Sequence, residues 1–371
     1  MANGQLGRTR TARAATGVLL SGLLAGVLAG SPAVGCAAAP STSGGAGSSS
    51  APATSTASSP AGTSAAPGTS APGTSAPGAT APPGTAPTAA GYASTAALVT
   101  AACADELTAD VSGTVTAPEL NEVSGVAAST ENPGVLWVHN DSGDSARAFA
   151  LSTTGTLLGT FALDGATAQD WEDMAIGPGP GGGGSFLYFG DIGDNGEKRT
   201  SITVFRVREP KVDAATPVGK VALDGVDTLT FTYPDAAHNA ETLLVDTDGS
   251  LYVITKQAGT STIYRAPPGL ADGSTTELSD VGTVALETAG LLTGGDIAPA
   301  GDAVVLRTYG QVYLYRRDPG STIAATLAGP RCNGALTREP QGEAVTFSAD
   351  GASYLTMSEG VDQPINTYRA P

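Results

Sequence analysis

Residues that commonly build catalytic sites are scarce in this chain of 371 residues, which has only two histidines and three cysteines. Two histidines without a fixed short spacing are a weak zinc signal, so we expect His139 and His238 to bind a ligand through hydrogen bonds rather than to hold zinc. The sequence has no Gly-x-Ser-x-Gly elbow, no His-Glu-x-x-His motif and no Walker A loop. These absences disfavour serine hydrolases and nucleotide-dependent enzymes.

Basic residues are also few, and their distribution is uneven. Three of the 18 lie in the first 13 residues, whereas all 35 acidic residues follow residue 100. Beyond the N-terminal segment, 15 basic residues against 35 acidic ones leave a net charge of −20. Nucleic acids and anionic membrane surfaces bind to basic faces, so we expect neither as a partner. The charge is compatible with cation binding, or with solubility outside the cell.

Residues 1–36 have the pattern of an export signal, in which a basic start precedes an apolar stretch at residues 14–28. That stretch is too short and too rich in small residues for a membrane span. Two cleavage sites stay open. Residues 33–36, Ala-Val-Gly-Cys, resemble a bacterial lipobox with Ala where Leu is usual, and cleavage there would leave Cys36 lipidated as an anchor. The small residues 37–39 would instead suit ordinary signal cleavage.

The cysteine count favours the lipobox. If Cys36 carries lipid, Cys103 and Cys332 remain as an even pair, whereas ordinary cleavage leaves either the same pair or an odd thiol. We therefore expect a Cys103–Cys332 disulfide in an oxidising compartment. The predicted location is extracytoplasmic, with Cys36 as the one membrane contact, or secreted.

Residues 37–90 are almost entirely Ala, Ser, Thr, Pro and Gly, without a charged or a large apolar side chain. Such a segment cannot bury enough surface to offset its ordering entropy, which predicts a disordered tether. It is either a plain spacer or a stretch with sugar-modified Ser and Thr.

Residues 91–371 are predicted to form one all-β domain. Short strands rich in Val, Ile, Leu, Tyr, Phe and Thr alternate with Gly, Asp, Asn and Pro. A pattern of acids that run into a short apolar strand recurs roughly every 50 to 70 residues. Its copies lie at residues 122–129, 169–177, 238–245, 294–299 and 341–347. This periodicity predicts a β-propeller with five blades, although a register error would conceal a sixth.

Four predicted blades have four strands each, the fourth ending in a strand at residues 323–327, but the last blade has only three. The N-terminal segment 109–115 would supply the missing outer strand and close the ring. A Cys103–Cys332 disulfide would hold this closure together covalently. It would add on the order of 4 kcal/mol to the free energy of unfolding, before any strain in the bond is counted.

In a propeller, the innermost strands start and the second strands end at the same rim of the central channel. One mouth should therefore collect acids at strand starts, together with residues at the ends of second strands. The first group is Glu122, Asp173, Glu241, Asp296 and Glu343, and the second includes His139, Asn140, Lys256, Arg307 and Glu359. Acids at strand starts also cap turns and hold blades together, which is the structural alternative.

Two consecutive blades share an Asp-x-Gly-Asp turn, with Asp141 and Asp144 in the first and Asp191 and Asp194 in the second. Clustered carboxylates suit a hard cation such as Ca²⁺, which takes about six to eight oxygen ligands. The alternative is a pair of hairpin loops whose Asp side chains form Asx turns.

Several strings resemble a family of largely uncharacterised secreted bacterial β-propellers, and the match covers nearly the whole domain after residue 118. They are residues 122–129 (Glu-Val-Ser-Gly-Val-Ala-Ala-Ser), 132–144, 170–173 (Asp-Trp-Glu-Asp), 190–195, 233–241 and 341–344. The resemblance implies the fold and export but no settled activity. A more distant likeness, resting on the acids at inner-strand starts, is to calcium-dependent β-propeller phytases, which have six blades.

The resulting hypothesis is a monomeric cell-surface propeller whose acidic mouth binds a small polar ligand or a divalent cation. As an enzyme it would hydrolyse phosphoesters with Ca²⁺ as cofactor. Asp173, Glu241 and Glu343 would be catalytic, and Lys256 and Arg307 would steady the phosphate. In this scheme Asp173, Glu241, Asp296 and Glu343 hold the Ca²⁺. The alternative is a non-catalytic module that binds carbohydrate or a surface protein.

Overall fold

The inner strands of this protein are short and buried on both faces, because each sheet packs between two others. The computed structural model describes residues 89–287 and 290–371. Within these ranges the strands form five sheets whose innermost strands contact one another in a closed ring. The architecture is a five-bladed β-propeller, which confirms the predicted fold and blade number.

Blades 1 and 2 each gain a fifth strand that the sequence analysis missed. Blade 1 contains β2 (Val123–Ala128), β3 (Val135–Asn140), β4 (Arg147–Ser152) and β5 (Leu157–Leu163). Blade 2 contains β6 (Trp171–Pro178), β7 (Ser185–Asp191) and β8 (Ile202–Arg208), with a 3₁₀ turn at Pro180–Gly182 between β6 and β7. The next strand, β9 (Gly219–Leu223), returns to pair in parallel with β5 as the fifth strand of blade 1, and β10 (Asp227–Thr232) is the fourth strand of blade 2.

Blade 3 contains β11 (Ala240–Val245), β12 (Leu251–Thr255), β13 (Thr260–Ala266) and β15 (Ser279–Ala285). Between the last two, β14 (Thr275–Glu277) pairs in parallel with β10 of blade 2. Blade 4 contains β16 (Leu292–Ile297), β17 (Ala303–Thr308), β18 (Val312–Arg316) and β19 (Cys332–Gly334). Strands β9 and β14 thus cover the outer edges of the preceding blades, which would otherwise expose unpaired backbone groups.

The ring closes through the N-terminal strand, as predicted. β1 (Thr108–Thr114) pairs antiparallel with β22 (Pro364–Arg369), which continues through β21 (Ser353–Ser358) to the innermost β20 (Gly342–Phe347). Blade 5 is therefore built from both ends of the domain. Closure of this kind leaves a propeller with short, protected edges.

A helix precedes the closing strand and was not predicted. α1 (Ala89–Cys103) packs Leu98, Val99 and Ala102 against blades 4 and 5. The segment is rich in Ala and other small residues and so resembles the tether in composition, which is why the sequence analysis ended the tether at residue 90. The disulfide between Cys103 and Cys332 joins the end of α1 to β19, which confirms the predicted pairing.

The predicted strand at residues 323–327 is wrong. This segment is the helix α2 (Ile323–Leu327), and its N-terminus is capped by Thr322, whose Oγ1 accepts the amide of Ala325 at 3.1 Å. A Thr at the N-cap favours a helix start over a strand. The outer strand of blade 4 is β19, so Cys332 lies within that strand rather than after it.

The hydrophobic core consists of five clusters, one between each pair of neighbouring blades. The cluster between blades 1 and 2 is the most aromatic: Trp137 packs on Phe161 and Trp171 stacks on Phe189, each with ring centroids 5.0 Å apart. β-branched and aromatic residues suit such sheets because both faces are packed. The core thus fixes the angular positions of the innermost strands.

The predicted export signal, lipobox and Cys36, with all but the last two residues of the predicted tether, lie outside the described residues. In the described part of the chain, neither helix has the length and hydropathy required of a membrane span.

Reduction of the disulfide should lower the stability of the domain by about 5 kcal/mol, because the bond links residues 229 positions apart and restricts the unfolded chain. Urea unfolding with and without reductant measures this change. The double variant Cys103→Ser/Cys332→Ser should match the reduced protein and be insensitive to reductant. Equal stability of the oxidised and reduced protein would contradict the prediction.

Candidate functional site

Each of the five innermost strands carries a β-bulge at its second residue, which has no regular partner on the second strand. The bulged residues therefore hold equivalent positions around one end of the channel, which we call the mouth. They are Ser124, Glu172, Glu241, Thr293 and Glu343. Bulges redirect side chains and recur next to functional sites.

Two of the five bulged residues tie neighbouring blades together. Ser124 donates its hydroxyl to the backbone carbonyl of Glu172, and Thr293 donates to the carbonyl of Glu343 at 3.1 Å. The other three bulged residues are glutamates, which bring carboxyl groups to the mouth. Hydroxyls in two blades thus hold the backbone at two of these glutamates.

A second set of mouth residues flanks the bulges. Asp141 and Glu359 directly follow the second strands of blades 1 and 5, and their amides donate to the carbonyls of Glu122 and Gln341 at 2.8 and 2.9 Å. Asp170 immediately precedes β6. Regular backbone pairing therefore places these carboxyl groups next to the bulged glutamates.

Five of these acids form two triads that share Asp141. The first triad is Asp141, Asp170 and Glu172, and the second is Asp141, Glu343 and Glu359. In each triad, one oxygen per residue lies within 4.8 Å of the others. Two ligands on opposite sides of a Ca²⁺ ion are also about 4.8 Å apart, because Ca–O distances are near 2.4 Å. Each triad therefore has the spacing of oxygens around one cation.

Glu172 is the most unusual member of the mouth. It is 3% exposed, and its carboxyl has no hydrogen-bond or ion-pair partner among the described residues. Burial, and then the charges of Glu241 and Asp141, raise its pKa far above its ordinary value. A buried carboxylate without donors is unfavourable unless it binds a proton or a cation.

Lys256 forms an ion pair with Glu241, one of the three bulged glutamates of the mouth. Its ammonium donates to Glu241 and, at 2.8 Å, to the hydroxyl of Tyr309, whose ring it also faces at 4.9 Å. Although burial opposes the charge, Glu241 holds the pKa of Lys256 above its usual value. The ring of Tyr309 stays 39% exposed at the rim. Glu241 is thus neutralised within the protein, whereas no acid of the triads forms an ion pair among the described residues.

Burial and mutual repulsion raise the pKa of most mouth acids. The pKa of Asp141 rises from 3.8 to about 6, chiefly by burial and then by the charges of Glu343 and Asp170. That of Glu359 rises from 4.5 to about 8, by burial and by its contact with Glu343. Burial also raises the pKa of Glu241. The mouth therefore holds protons near neutral pH when no cation neutralises it.

Asp173 does not face the mouth, which corrects its predicted catalytic role. It is 0% exposed, and its carboxylate accepts the amides of Met174, Leu243 and Gly295 at 2.8, 3.0 and 3.2 Å. These amides belong to blades 2, 3 and 4, so the carboxylate links three innermost strands.

The predicted equivalence of the five acids is also wrong. Asp173 lies one position after the bulge of its strand, Asp296 lies three positions after, and Glu122 lies two positions before. Asp296 lies at the far end of its strand, where it accepts Thr346 Oγ1 at 2.8 Å and the amide of Phe347 at 2.9 Å. Glu122 does lie at the mouth, where its charge contributes to the raised pKa of Asp141.

Arg307 is buried between blades 4 and 5 rather than exposed at the mouth. It is 0% exposed, forms an ion pair with Glu339, and donates to the carbonyls of Ala344 and Met357 at 3.0 and 3.2 Å. A Cβ at Gly342 would overlap its guanidinium, so this position requires glycine. The predicted phosphate-binding role of Arg307 is therefore unsupported, and its contacts are those of a structural ion pair.

His139 and Asn140 lie behind the mouth. His139 is fully buried against Trp171, with ring centroids 5.5 Å apart, and burial lowers its pKa to about 4. Asn140 donates to the carbonyl of Glu119 at 2.7 Å and to Asp144 at 2.9 Å. Both residues order the backbone that carries Asp141.

The two Asp-x-Gly-Asp loops differ in what their acids do. Asp144 pairs with Arg147 at 2.9 Å and Asp191 pairs with Arg199 at 2.7 Å. Asp194 accepts the amides of Lys198 and Arg199, both at 2.6 Å. These three acids make ion pairs or backbone hydrogen bonds within the protein, which are structural contacts other than the Asx turns of the alternative. Asp141 alone of the four belongs to the acid triads.

His238 lies on the mouth face but towards the outside of blade 3. Its Nε2 is 3.0 Å from Asp235 and 2.9 Å from the hydroxyl of Tyr264, and its ring packs edge-on against Tyr233. In residues 89–287 and 290–371, no contact joins His238 to the acids of the triads.

Two clefts of about 480 and 570 Å³ lie on the opposite face of the propeller. The first is bounded by α1 and by Asp302 and Arg316, and the second contains Tyr252 and Arg265. Between them, Arg317 pairs with Asp246 at 2.6 Å. Their charges are mixed, so the concentration of one charge sign at the mouth makes the mouth the stronger candidate site.

The predicted set of site residues did not include Asp170, Glu172 or Tyr309. The available signal was the second position of each inner strand, which holds only Glu, Ser or Thr in the five copies. An alignment on that position would have selected Glu172 instead of Asp173. Tyr309 carries no such signal, because no other copy has an aromatic residue there.

The cation-free protein should lose stability as pH rises from about 4 to 8. A carboxyl whose folded pKa is raised favours folding below its unfolded pKa, and that contribution disappears as pH passes the folded pKa, about 6 for Asp141 and about 8 for Glu359. In chelator, the melting temperature should fall by roughly 5 °C or more. Glu172→Gln should flatten this slope, whereas Asp224→Asn, at an exposed acid, should preserve it. A melting temperature independent of pH would contradict the prediction.

Asp173→Asn should destabilise the fold by roughly 2–4 kcal/mol, because an amide nitrogen cannot accept the backbone N–H groups that the carboxylate accepts. Urea unfolding measures this loss, with Asp224→Asn as the surface control. The folded fraction of the variant should still respond to Ca²⁺. A variant of normal stability that no longer responds to Ca²⁺ would contradict this prediction and would indicate that Asp173 is a Ca²⁺ ligand.

No protein-family model matches this chain, and no curated protein matches it at a significant level. Among solved structures, the chain is similar to the PQQ-bound form of aldose sugar dehydrogenase from Streptomyces coelicolor, with 15% identity and a TM-score of 0.40. The match covers 71% of this chain and 98% of that one. Similarity at this level assigns no activity, and the likeness to six-bladed phytases gains no support from a five-bladed ring. The propeller is established by the sheet topology.

Proposed function

We propose that the acidic mouth binds a divalent cation of the Ca²⁺ type and, with it, hydrolyses a phosphoester. The observation that carries this proposal is the buried, unpartnered carboxyl of Glu172 inside a triad with cation spacing. Carboxylate oxygens are the preferred ligands of Ca²⁺. Two basic side chains act on the mouth acids, Lys256 on Glu241 and Arg199 on Asp170. The acids outnumber them, so the mouth is strongly negative once its acids are ionised; these are Glu122, Glu241, Asp141, Asp170, Glu172, Glu343 and Glu359.

This charge makes a cation a requirement for binding an anionic substrate. A phosphoester would be repelled by the acids of the mouth unless their charge were neutralised first. A bound divalent cation would neutralise phosphate oxygens and lower the pKa of a bound water. Activity should therefore depend strictly on added cation.

The remaining roles in the proposed reaction are binding of the phosphate and transfer of a proton, and both fall to side chains of this protein. Lys256, held by Glu241 and Tyr309, offers a fixed positive charge at the rim for a phosphate oxygen. Glu343 and Glu359 contact each other, and the pKa of Glu359 near 8 suits proton transfer at neutral pH. In hydrolysis, water attacks phosphorus and loses its proton to this carboxylate pair. The P–O bond to the alcohol breaks, and the pair returns the proton to the leaving oxygen.

The exposed ring of Tyr309 favours a second candidate function, a non-catalytic module for carbohydrate. Binding sites for small ligands combine aromatic faces with a few placed polar groups, and Tyr309 stands beside such groups. In that case the domain would bind glycans without turnover, and Tyr309→Ala would weaken the binding.

An extracytoplasmic location, with Cys36 as a lipid anchor, remains part of the proposal. It is supported by the basic and apolar pattern of residues 1–36 and by the Cys103–Cys332 disulfide, since disulfides persist in oxidising compartments. Labelling of the expressed full chain with a radioactive fatty acid tests it. Label that Cys36→Ser abolishes would support the anchor, and absence of label would leave ordinary secretion.

Phosphate release should require Ca²⁺ and an intact carboxylate pair. The full chain is chelated and assayed at pH 7.5 with a panel of phosphomonoesters and phosphodiesters, with and without Ca²⁺. Glu343→Gln should lower kcat by roughly 100-fold or more, because it removes the proton acceptor. Lys256→Met should mainly raise KM, and the surface control Asp224→Asn should behave like the parent protein. Turnover that survives chelation, or none with any ester, would contradict the enzyme proposal.

A further inference from the structure

We propose that the mouth binds two divalent cations at once, bridged by the carboxylate of Asp141. This inference rests on the proposed function, because it concerns the same acids, but it specifies how many cations they hold and which acids hold each. One cation would lie among Asp141, Asp170 and Glu172, and the other among Asp141, Glu343 and Glu359.

The geometry gives Asp141 a place in both triads. It follows the last residue of β3, and its amide donates to the carbonyl of Glu122 at 2.8 Å, which fixes its backbone. One side-chain oxygen accepts the amide of Ser142, so the carboxyl group is oriented. A carboxylate has two oxygens and about four lone-pair positions, enough to serve two cations while accepting one amide.

The first position is indicated by Glu172. This carboxyl is almost fully buried, points into the mouth and lacks a partner in the part of the chain that the structure describes. Where the chain needs to neutralise other buried acids, it supplies a basic side chain: Glu339 has Arg307 and Glu241 has Lys256. Glu172 has no such ion pair among the described residues, so its negative charge is compensated by a proton or by a bound cation.

The second position is indicated by the contact between Glu343 and Glu359. Glu343 is buried, and its hydrogen bond from Gln341 is long, at 3.4 Å. Two neighbouring carboxyl groups repel each other unless a proton or a cation lies between them. A cation held by one oxygen of each group would leave the other oxygens free for the proton transfer proposed above. Asp141 completes this pair into the second triad.

The charge of the mouth also favours two cations. One divalent cation neutralises at most two of the seven carboxylates, so an anionic phosphoester would still meet ionised acids after the first cation has bound. A second cation would lower the remaining negative charge. Pairs of cations that share a ligand recur where phosphate oxygens are bound, because both the attacking and the leaving oxygen are stabilised.

Equilibrium dialysis of the chelated full chain against radioactive Ca²⁺ at pH 8 tests the proposal by counting. We expect two Ca²⁺ per chain in the parent protein. Glu172→Gln and Glu359→Gln should each retain one, since each removes a ligand of a different site, and Asp141→Asn should lose both. If Glu172→Gln fails to fold, Asp170→Asn replaces it, and if Glu359→Gln fails to fold, Glu343→Gln replaces it. Each replacement should also retain one Ca²⁺. Asp224→Asn is the matched control and should retain two.

The outcomes separate this inference from the proposed function. A parent protein that binds a single Ca²⁺ would overturn the two-cation proposal and leave the proposed function intact. A parent that binds none at millimolar Ca²⁺ would overturn both. Two Ca²⁺ per chain that persist in Asp141→Asn would overturn the bridging role. Thermal melts of the same samples, whose midpoints should rise with Ca²⁺, confirm that each counted variant is folded.

Discussion

The β-bulge at the second residue of every innermost strand is the constraint on which the mouth depends. In each blade it takes one residue out of the regular strand pairing, and the five residues lie at the same level along the channel. In two blades this residue is a hydroxyl that bonds the next bulge, and in three it is a glutamate. The same local irregularity therefore ties blades together and concentrates negative charge.

Much of the fold could be predicted from the sequence because it follows from repetition. The recurring acid-and-strand pattern gives five blades, and the strand deficit of the last blade predicts closure by β1 and the Cys103–Cys332 bond. The sequence analysis failed for elements that do not recur from blade to blade, namely the two helices. The helix α1 is hidden in a stretch of small residues, and α2 depends on a capping threonine beside apolar residues that equally suit a strand.

The candidate site was predicted less well, for a reason that lies in strand register. Asp173 and Glu172 are adjacent in sequence, but Asp173 is buried among three blades and Glu172 faces the mouth, because a shift of one residue changes the side on which a strand side chain lies. Likewise, Arg307 and Lys256 both follow or end second strands, yet only Lys256 reaches the rim. Neither burial nor pairing can be read from the types of these residues.

The carboxylate of Asp173 has a consequence for the rigidity of the mouth. Because it is inaccessible to solvent and joins the innermost strands of blades 2, 3 and 4, these strands cannot separate without exposing it and breaking its hydrogen bonds. Glu172 and Glu241 belong to two of the strands joined in this way. The spacing of their carboxyl groups is therefore set by a buried residue rather than by a bound ligand.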